Sequence, residues 1–149
     1  MNLFDELVTV VRALDGAGVD YALVGGLAVG VWGAPRATKD IDLLIRSEDL
    51  ARAKDAARAC GYTLEALPMR FTDGMEMRRV NKLVAGQLMS VDFILVDQNL
   101  EPAWQSRARR QTEVTPISVV SREALIAMKL AAGRPQDQAD VIKLMEQDR

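Results

Sequence analysis

Hydrophobic positions in the first 60 residues switch repeatedly between a helical and a strand period. Apolar side chains recur every three or four residues in the first segment, which Gly16 and Gly18 end. Two continuous apolar runs are short enough to be buried strands, and Gly33 and Pro35 end the helix between them. The predicted elements are a helix over 3–14, a strand over 21–24, a helix over 25–32, a strand over 39–45 and a helix over 47–60.

The second half is predicted to extend a sheet and end in helices. Asp73 and Gly74 form a hairpin turn signal between two strands, and Pro116 favours an edge position for the last strand because it lacks a backbone donor. Gly133 and Pro135 separate the final helices. The predicted elements are strands over 68–71, 75–82 and 88–96, a helix over 98–110, a strand over 114–120 and helices over 121–132 and 137–146.

Length and composition favour one folded domain. The 149 residues are 49% hydrophobic and 27% charged, which is typical of a folded chain rather than a disordered one. The order of elements predicts an α+β fold over 1–149, with a mixed β-sheet flanked by helices. A C-terminal helical pair over about 121–147 follows the sheet.

Composition also excludes several kinds of chemistry. The chain has no histidine, which excludes a histidine general base and a His-containing zinc site. Cys60 is the single cysteine, so no internal disulfide is expected. The net charge of −2 gives nucleic-acid binding no support, although Arg107, Arg109 and Arg110 form a local basic cluster. Without a leader pattern or a long apolar run, we expect a cytoplasmic protein that does not contact a membrane.

Two aspartates and two glycines carry the strongest chemical signal. In a strand, Asp40 and Asp42 point to the same face with Cα atoms about 6.6 Å apart, so their carboxylates can share hard cations. Gly25 and Gly26 end the preceding apolar run and open a helix, which is a natural phosphate site. This combination predicts a metal-dependent enzyme that acts on a nucleoside triphosphate.

A third aspartate lies in a later apolar strand. Burial of an ionised Asp92 is costly unless it is paired or bound to metal. If its strand lies beside the one that carries Asp40 and Asp42, three carboxylates can bind Mg²⁺, and Asp92 is the default base in a chain without histidine. The alternative is a structural ion pair with Arg78 or Arg79.

These residues resemble the nucleotidyltransferase superfamily of DNA polymerase beta over about residues 20–96. The shared features are an apolar strand ending in Gly25-Gly26, the Asp40-x-Asp42 motif on the next strand and a later carboxylate, Asp92. The resemblance implies a nucleotidyltransferase-like core. It also implies transfer of a nucleoside monophosphate to a hydroxyl group with release of pyrophosphate.

A narrower resemblance is to AbiE-type toxin nucleotidyltransferases. Gly-Gly-Leu-Ala is followed by Arg36-Ala-Thr38-Lys-Asp-Ile-Asp, as in that family. Lys129 matches its downstream lysine, whereas Asp137 and Asp140 match its Arg-Asp-x-x-Asp stretch only loosely, since no basic residue adjoins Asp137. The chain is also shorter than typical toxins of the group.

The resemblance implies a role for each matched residue. Asp40, Asp42 and Asp92 would hold two Mg²⁺ ions, with Mn²⁺ as the alternative metal, and Asp92 would also activate the acceptor hydroxyl. The residues implied in binding the triphosphate are Gly25, Gly26, Arg36, Thr38 and, with a catalytic role, Lys129.

Acceptor and partners stay open at this point. The acceptor is a tRNA, a protein or a small molecule, which separates a toxin with an antitoxin partner from an antibiotic-modifying enzyme. A homodimer would complete the cleft of so small a chain. The alternative function is a non-catalytic binding or regulatory module that keeps the fold.

Several residues also have purely structural interpretations. Arg36 can pair with Asp40, and Lys129 can extend from a helix flank toward solvent. Asp137 is typical of a helix N-terminus, and Asp140 is predicted to lie on the surface. The three arginines of the basic cluster are predicted to form a solvated helix face, with RNA or an acidic partner as the alternative.

Overall fold

The computed structural model describes residues 2–147. It consists of a mixed sheet with helices on both faces. Met1, Asp148 and Arg149, which the single-domain prediction includes, lie outside the described residues. The elements are α1 Leu3–Gly16, β1 Ala22–Val24, α2 Gly25–Val31, β2 Asp40–Ile45, a 3₁₀ turn Ser47–Asp49, α3 Leu50–Ala59, β3 Leu64–Glu65, β4 Met69–Arg70, β5 Glu76–Val84, β6 Gln87–Leu95, α4 Glu101–Gln105, β7 Ala108–Gln111, β8 Pro116–Val119, α5 Arg122–Ala132 and α6 Pro135–Glu146.

The sheet has the strand order β3-β5-β6-β2-β1-β8-β7, and β4 also pairs with β5. The pairs β2–β6 and β1–β8 are parallel and the others are antiparallel. The prediction of a mixed sheet flanked by helices is therefore confirmed. The strand that carries Asp92 is a direct neighbour of the strand that carries Asp40 and Asp42.

Strand alternation assigns the helices to the two faces. On β5, Arg79 and Lys82 point to opposite faces. Lys82 binds Glu6 of α1, so α1 and its neighbour α3 cover one face. Gly25 of α2 lies against Asp42, which shares the face of Arg79. The core lies mainly between the sheet and α1 and α3, where the fully buried strand residues are Ile41, Leu43, Val91 and Phe93.

Local capping explains where the helices begin and end. The Asn2 side chain accepts a hydrogen bond of 2.8 Å from the Asp5 N–H at the start of α1. Ser121 caps α5 in the same way, and Gly133 ends that helix in a left-handed conformation with φ of +66°. Among the described residues, no helix has the length and apolar character needed to cross a membrane.

Two predictions about the segment after β6 are wrong. The predicted helix over 98–110 is limited to α4, and its last part is the strand β7. β8 is not an edge strand, because it lies between β1 and β7, and Pro116 is tolerated as its first residue. Both errors have one cause: β7 is exposed and lacks an apolar period, so only its pairing with β8 makes it a strand.

The turn at Asp73-Gly74 is confirmed, since β4 and β5 pair around it and the Met75 N–H donates to the Asp73 carboxylate. A second hairpin, between β5 and β6, was not predicted as a turn. Ala85 and Gly86 adopt φ of 51° and 79° there, so an alanine holds a conformation that usually favours glycine or asparagine. This hairpin sets the register that brings β5 to the candidate site.

Candidate active site

Three aspartates meet on the face of the sheet that α2 partly covers. Alternation along β2 puts Asp40 and Asp42 on this face, and the parallel register places Asp42 beside Asp92 of β6. The Asp92 side chain is 3% exposed, whereas that of Asp40 is 39% exposed. The carboxylates therefore run from a buried strand position toward solvent, as in a site that a ligand enters from one side.

The two glycines make room for these side chains. Gly25 has φ of +74°, and a Cβ at this position would overlap the Asp42 carboxylate. A Cβ on Gly26 would lie 2.7 Å from Thr38 Oγ1 and 3.2 Å from Arg36 Nη1. Only glycine at both positions lets the turn approach the aspartate on one side and the Arg36–Thr38 segment on the other.

Arg79 is a member of this cluster that the prediction considered only as a structural partner. Its Nε and Nη2 donate to the two carboxylate oxygens of Asp92 at 2.7 and 2.9 Å. Nη2 also lies 3.7 Å from Asp40 Oδ2. The alternative of an ion pair between Asp92 and Arg78 or Arg79 is confirmed for Arg79, which stands opposite Asp92 in the β5–β6 register.

The electrostatics of the cluster show an excess of negative charge. Burial, followed by the carboxylates of Asp92 and Asp40, raises the pKa of Asp42 to about 7, and Lys129 partly offsets this rise. Burial and Asp92 also raise the pKa of Asp40, although Arg79 opposes the increase. One arginine at bonding distance therefore does not neutralise three aspartates, and added positive charge would stabilise their ionised forms.

The donor chemistry of the cluster fits a hard divalent cation, because carboxylate oxygens are the ligands that Mg²⁺ and Mn²⁺ prefer. Nevertheless, within residues 2–147 no group of three or more His, Cys, Asp or Glu side chains is arranged to hold a metal ion. The hydrogen bonds from Arg79 occupy both carboxylate oxygens of Asp92. Metal coordination by the three aspartates stays a prediction.

A second charged cluster joins the C-terminal helices to the glycine turn. Arg36 donates to both carboxylate oxygens of Asp140 at 2.8 and 2.9 Å. Lys129 Nζ lies 3.0 Å from Asp140 Oδ2 and 3.2 Å from Asp137 Oδ1. Burial favours the protonated form, but hydrogen bonds from Arg36, Lys129 and Gln136 lower the pKa of Asp140 to about 2.

Three structural interpretations of these residues are wrong. Arg36 pairs with Asp140 rather than with Asp40, and Asp140 is fully buried rather than on the surface. Lys129 does not extend into solvent, since it is 7% exposed and held by two carboxylates. Arg36 and Asp140 are 104 residues apart in the sequence, so no local pattern reveals that they pair. The position of Asp137 at a helix N-terminus is confirmed, because it accepts from the Arg134 N–H at 3.2 Å.

The predicted basic cluster lies away from these residues. Arg109 and Arg110 are exposed on β7 rather than on a helix, and Arg107 is half-buried just before that strand. Arg107 and Arg110 each stack on a tryptophan ring at 4.0 Å, and Arg109 binds Asp15 at 2.8 Å. A cavity of about 380 Å³ next to this strand is lined by Asp15, Asp20, Tyr21, Arg107, Ala108, Arg109 and Ser118. It contains none of the predicted site residues.

Comparison with known proteins identifies the family of the chain. A sequence profile of the AbiEii family, described as the nucleotidyl transferase AbiEii toxin of type IV toxin–antitoxin systems, matches residues 10–148. No curated protein sequence matches the chain significantly. The predicted resemblance to nucleotidyltransferases, and to AbiE-type toxins among them, is therefore confirmed at the family level.

Solved structures share the fold. A candidate nucleotidyltransferase from Thermotoga maritima superposes with a TM-score of 0.66 and 18% identity, over 98% of this chain and 93% of that one. The antibiotic-resistance factor ANT(2″)-Ia, solved with adenylyl-2″-tobramycin, gives a TM-score of 0.63 and 16% identity over 94% and 85%. At these identities the likeness supports the architecture and leaves the substrate open.

Proposed function

Because the chain belongs to the AbiEii family of nucleotidyltransferase toxins and is a nucleotidyltransferase enzyme, we propose that it transfers a nucleoside monophosphate from a nucleoside triphosphate to a hydroxyl group with Mg²⁺. The family generally uses divalent metals. The observation that carries the proposal is the alignment of Asp40, Asp42 and Asp92 on one face, with Gly25 against Asp42.

Asp40, Asp42 and Asp92 are the proposed ligands of two Mg²⁺ ions, which Mn²⁺ can replace. Burial and the carboxylates of Asp92 and Asp40 raise the pKa of Asp42 to about 7, and this supports the role because a cation would stabilise the ionised form. These carboxylates would hold Mg²⁺, which would supply positive charge that stabilises the transition state.

The triphosphate is proposed to lie over Gly25 and Gly26. Gly25 lies against Asp42, and Arg36 and Thr38 lie directly against Gly26. Arg36 is oriented by its two hydrogen bonds to Asp140, which favours phosphate contact through its remaining N–H groups. Lys129 is near enough to influence Asp42 and supplies a buried positive charge beside the same region.

Asp92 is the proposed group that orients and deprotonates the acceptor. The hydroxyl oxygen attacks the α-phosphorus while its proton passes to an Asp92 oxygen. The bond between the α-phosphorus and the bridging oxygen breaks, and pyrophosphate leaves with that oxygen. With no histidine in the chain, a carboxylate is the natural base for this transfer.

The family supports a toxin with an antitoxin partner, and we propose a tRNA or a protein as its acceptor. A small-molecule acceptor is the alternative, supported by the fold shared with ANT(2″)-Ia. Growth arrest on expression, relieved by a neighbouring antitoxin gene, would support the toxin, whereas drug resistance would support the alternative. A homodimer that completes the cleft is part of the proposal and is tested by sedimentation with and without substrate.

The decisive experiment is an incorporation assay. Purified protein is incubated with Mg²⁺ or Mn²⁺, each α-³²P-labelled nucleoside triphosphate in turn, and total tRNA, protein lysate or aminoglycosides. The Asp40→Ala/Asp42→Ala double variant should lose label transfer. Asp55→Asn, a charge change at an aspartate whose side chain is 73% exposed, should keep it. Transfer that persists in the double variant would overturn the proposed site.

A second function is favoured by one observation. Arg79 already binds Asp92, as in a fold that works as a non-catalytic binding or regulatory module. Calorimetric titration with nucleoside triphosphates separates the two functions. An enzyme should bind them in a metal-dependent way, and a bare scaffold should show no such binding.

A further inference from the structure

The position of Arg79 has a consequence for how the site is filled. Its guanidinium bridges the first and third carboxylates of the cluster, with two hydrogen bonds to Asp92 and a 3.7 Å approach to Asp40. The side chain is 32% exposed, so it occupies part of the solvent-accessible side of the cluster. Any cation that binds Asp92 from this side meets the guanidinium first.

Arg79 and a divalent cation compete for the carboxylate oxygens of Asp92. Arg79 uses one N–H group for each carboxylate oxygen of Asp92, in the planar bidentate geometry that makes such pairs strong. A divalent cation requires at least one of these oxygens and repels the guanidinium at close range. Each carboxylate oxygen keeps a second lone pair, so a cation at Asp92 weakens the bidentate pair mainly by repelling the guanidinium.

Once displaced from Asp92, the Arg79 side chain can bind other anionic groups. Within residues 2–147, the acidic contacts of its side chain are limited to Asp92 and Asp40. Since the side chain is already partly in solvent, it can turn outward without unfolding β5. A triphosphate seated beside the three aspartates would offer it phosphate oxygens, which match a guanidinium as well as a carboxylate does.

We propose that Arg79 is a resident counter-ion of the metal-free site, which a divalent cation displaces from Asp92 and which then contacts the phosphates of the bound nucleotide. This inference rests on the proposed function, because it assumes that the aspartates hold metal. It makes Arg79 a nucleotide-binding residue that lowers metal affinity in the empty site and raises affinity for the metal–nucleotide complex.

The test is a titration of Mn²⁺ without nucleotide, followed by electron paramagnetic resonance of the free ion. Arg79→Met removes the competitor, so we expect Mn²⁺ to bind about tenfold more tightly. Arg79→Lys keeps the charge but loses the bidentate geometry, and its affinity should lie between the two. In EDTA, Arg79→Met should melt at a lower temperature than the unaltered protein and recover when Mn²⁺ is added.

The matched control is Arg78→Met. Arg78 is the next residue of β5, points to the other face of the sheet and pairs only with Glu76 at 3.3 Å among the acidic groups of residues 2–147. Its Mn²⁺ affinity should equal that of the unaltered protein.

The proposed contact with the phosphates is tested by the KM for the nucleotide, which should rise about tenfold in Arg79→Met with a smaller change in kcat.

Each outcome is decisive. Equal or weaker Mn²⁺ binding by Arg79→Met overturns the competition, and an unchanged KM overturns the contact with phosphates, while label transfer by the unaltered protein would still support the proposed function. If neither the unaltered protein nor any variant binds Mn²⁺, the metal site of the proposed function fails and this inference fails with it.

Discussion

Two charged clusters lie on opposite faces of the sheet, and β5 contributes to both. On one face, Glu6 is 1% exposed and accepts a hydrogen bond of 2.8 Å from the Tyr62 hydroxyl. Lys82 Nζ lies 2.6 Å from the same Glu6 oxygen, above the Tyr62 ring. This cluster has one carboxylate, one ammonium group and little access to solvent, so it is balanced within the fold.

The aspartate cluster on the other face is unbalanced and open. Three carboxylates share Arg79, and the side chains of Asp40 and Arg79 are 39% and 32% exposed. A buried charge is tolerated when the fold itself supplies the partner, as at Glu6. Where the fold supplies too little positive charge, a ligand is the remaining source. The comparison therefore separates a structural ion pair from a binding site by charge balance and access rather than by residue type.

The largest effect should come from Asp42→Asn. Loss of this carboxylate is expected to reduce label transfer about 1,000-fold, because a metal ligand contributes several kcal/mol to transition-state stabilisation. The free energy of unfolding in EDTA should stay equal or rise, since the change relieves repulsion among the three aspartates. Single-turnover transfer and urea unfolding measure the two quantities. A variant that is markedly less stable in EDTA would mean that Asp42 is structural.

Lys82→Met should lower stability and leave transfer unchanged, the reverse of what is expected for Asp42→Asn. It leaves Glu6 buried without its cation, so the free energy of unfolding should fall by about 3 kcal/mol, as measured in urea. Transfer by the folded fraction should be unchanged, because Lys82 lies on the far face of the sheet. The Glu6→Leu/Lys82→Met double variant should regain part of the loss. A large loss of transfer at full folding would break the distinction between the two faces.

The pH dependence of stability should identify the unbalanced cluster. The metal-free folded protein keeps a proton on Asp42 up to about pH 7, because burial and the neighbouring carboxylates raise its pKa, whereas an unfolded aspartate releases it near about pH 3.9. The folded state holds more protons in this window, so its stability falls as the pH rises. In EDTA, Asp42→Asn should flatten the fall in Tm across this range, and the exposed Asp55→Asn should not.

The smallest effect is expected for Lys54→Met. Lys54 pairs with Glu65 on the surface, where the two side chains are 26% and 47% exposed. The free energy of unfolding should change by less than about 1 kcal/mol, because solvent screens exposed pairs. The same urea titration as for Lys82→Met gives the comparison directly. A loss as large as at Lys82 would show that burial does not govern these ion pairs.

Local pattern was sufficient for the part of the site that one short segment builds. Strand alternation predicted that Asp40 and Asp42 share a face, and the glycine pair marked the point where the backbone approaches them. The prediction that Asp92 lies beside Asp40 and Asp42 depends on which strands pair. The sequence of an apolar strand does not reveal its pairing partner. The β2–β6 register supplied that information.

Long-range partners were the part that local pattern could not supply. Arg36 finds Asp140 across most of the chain, and Arg79 meets Asp92 only through the register of the β5–β6 hairpin. The strand β7 was missed for the same reason, since its exposed residues carry no apolar period and its hydrogen bonds come from β8. In each case the deciding contact joins residues that only the complete fold brings together.

The Arg36–Asp140 pair fastens one end of the chain to the turn that is proposed to hold the triphosphate. Asp140 lies within α6, and Arg36 stands 3.2 Å from the place where a Cβ of Gly26 would be. The guanidinium thus links α6 to the turn that is proposed to hold the triphosphate. We expect a partner, protease or mutation that separates α6 from Arg36 to release this turn first, while the strands that carry the aspartates are still folded when activity is lost.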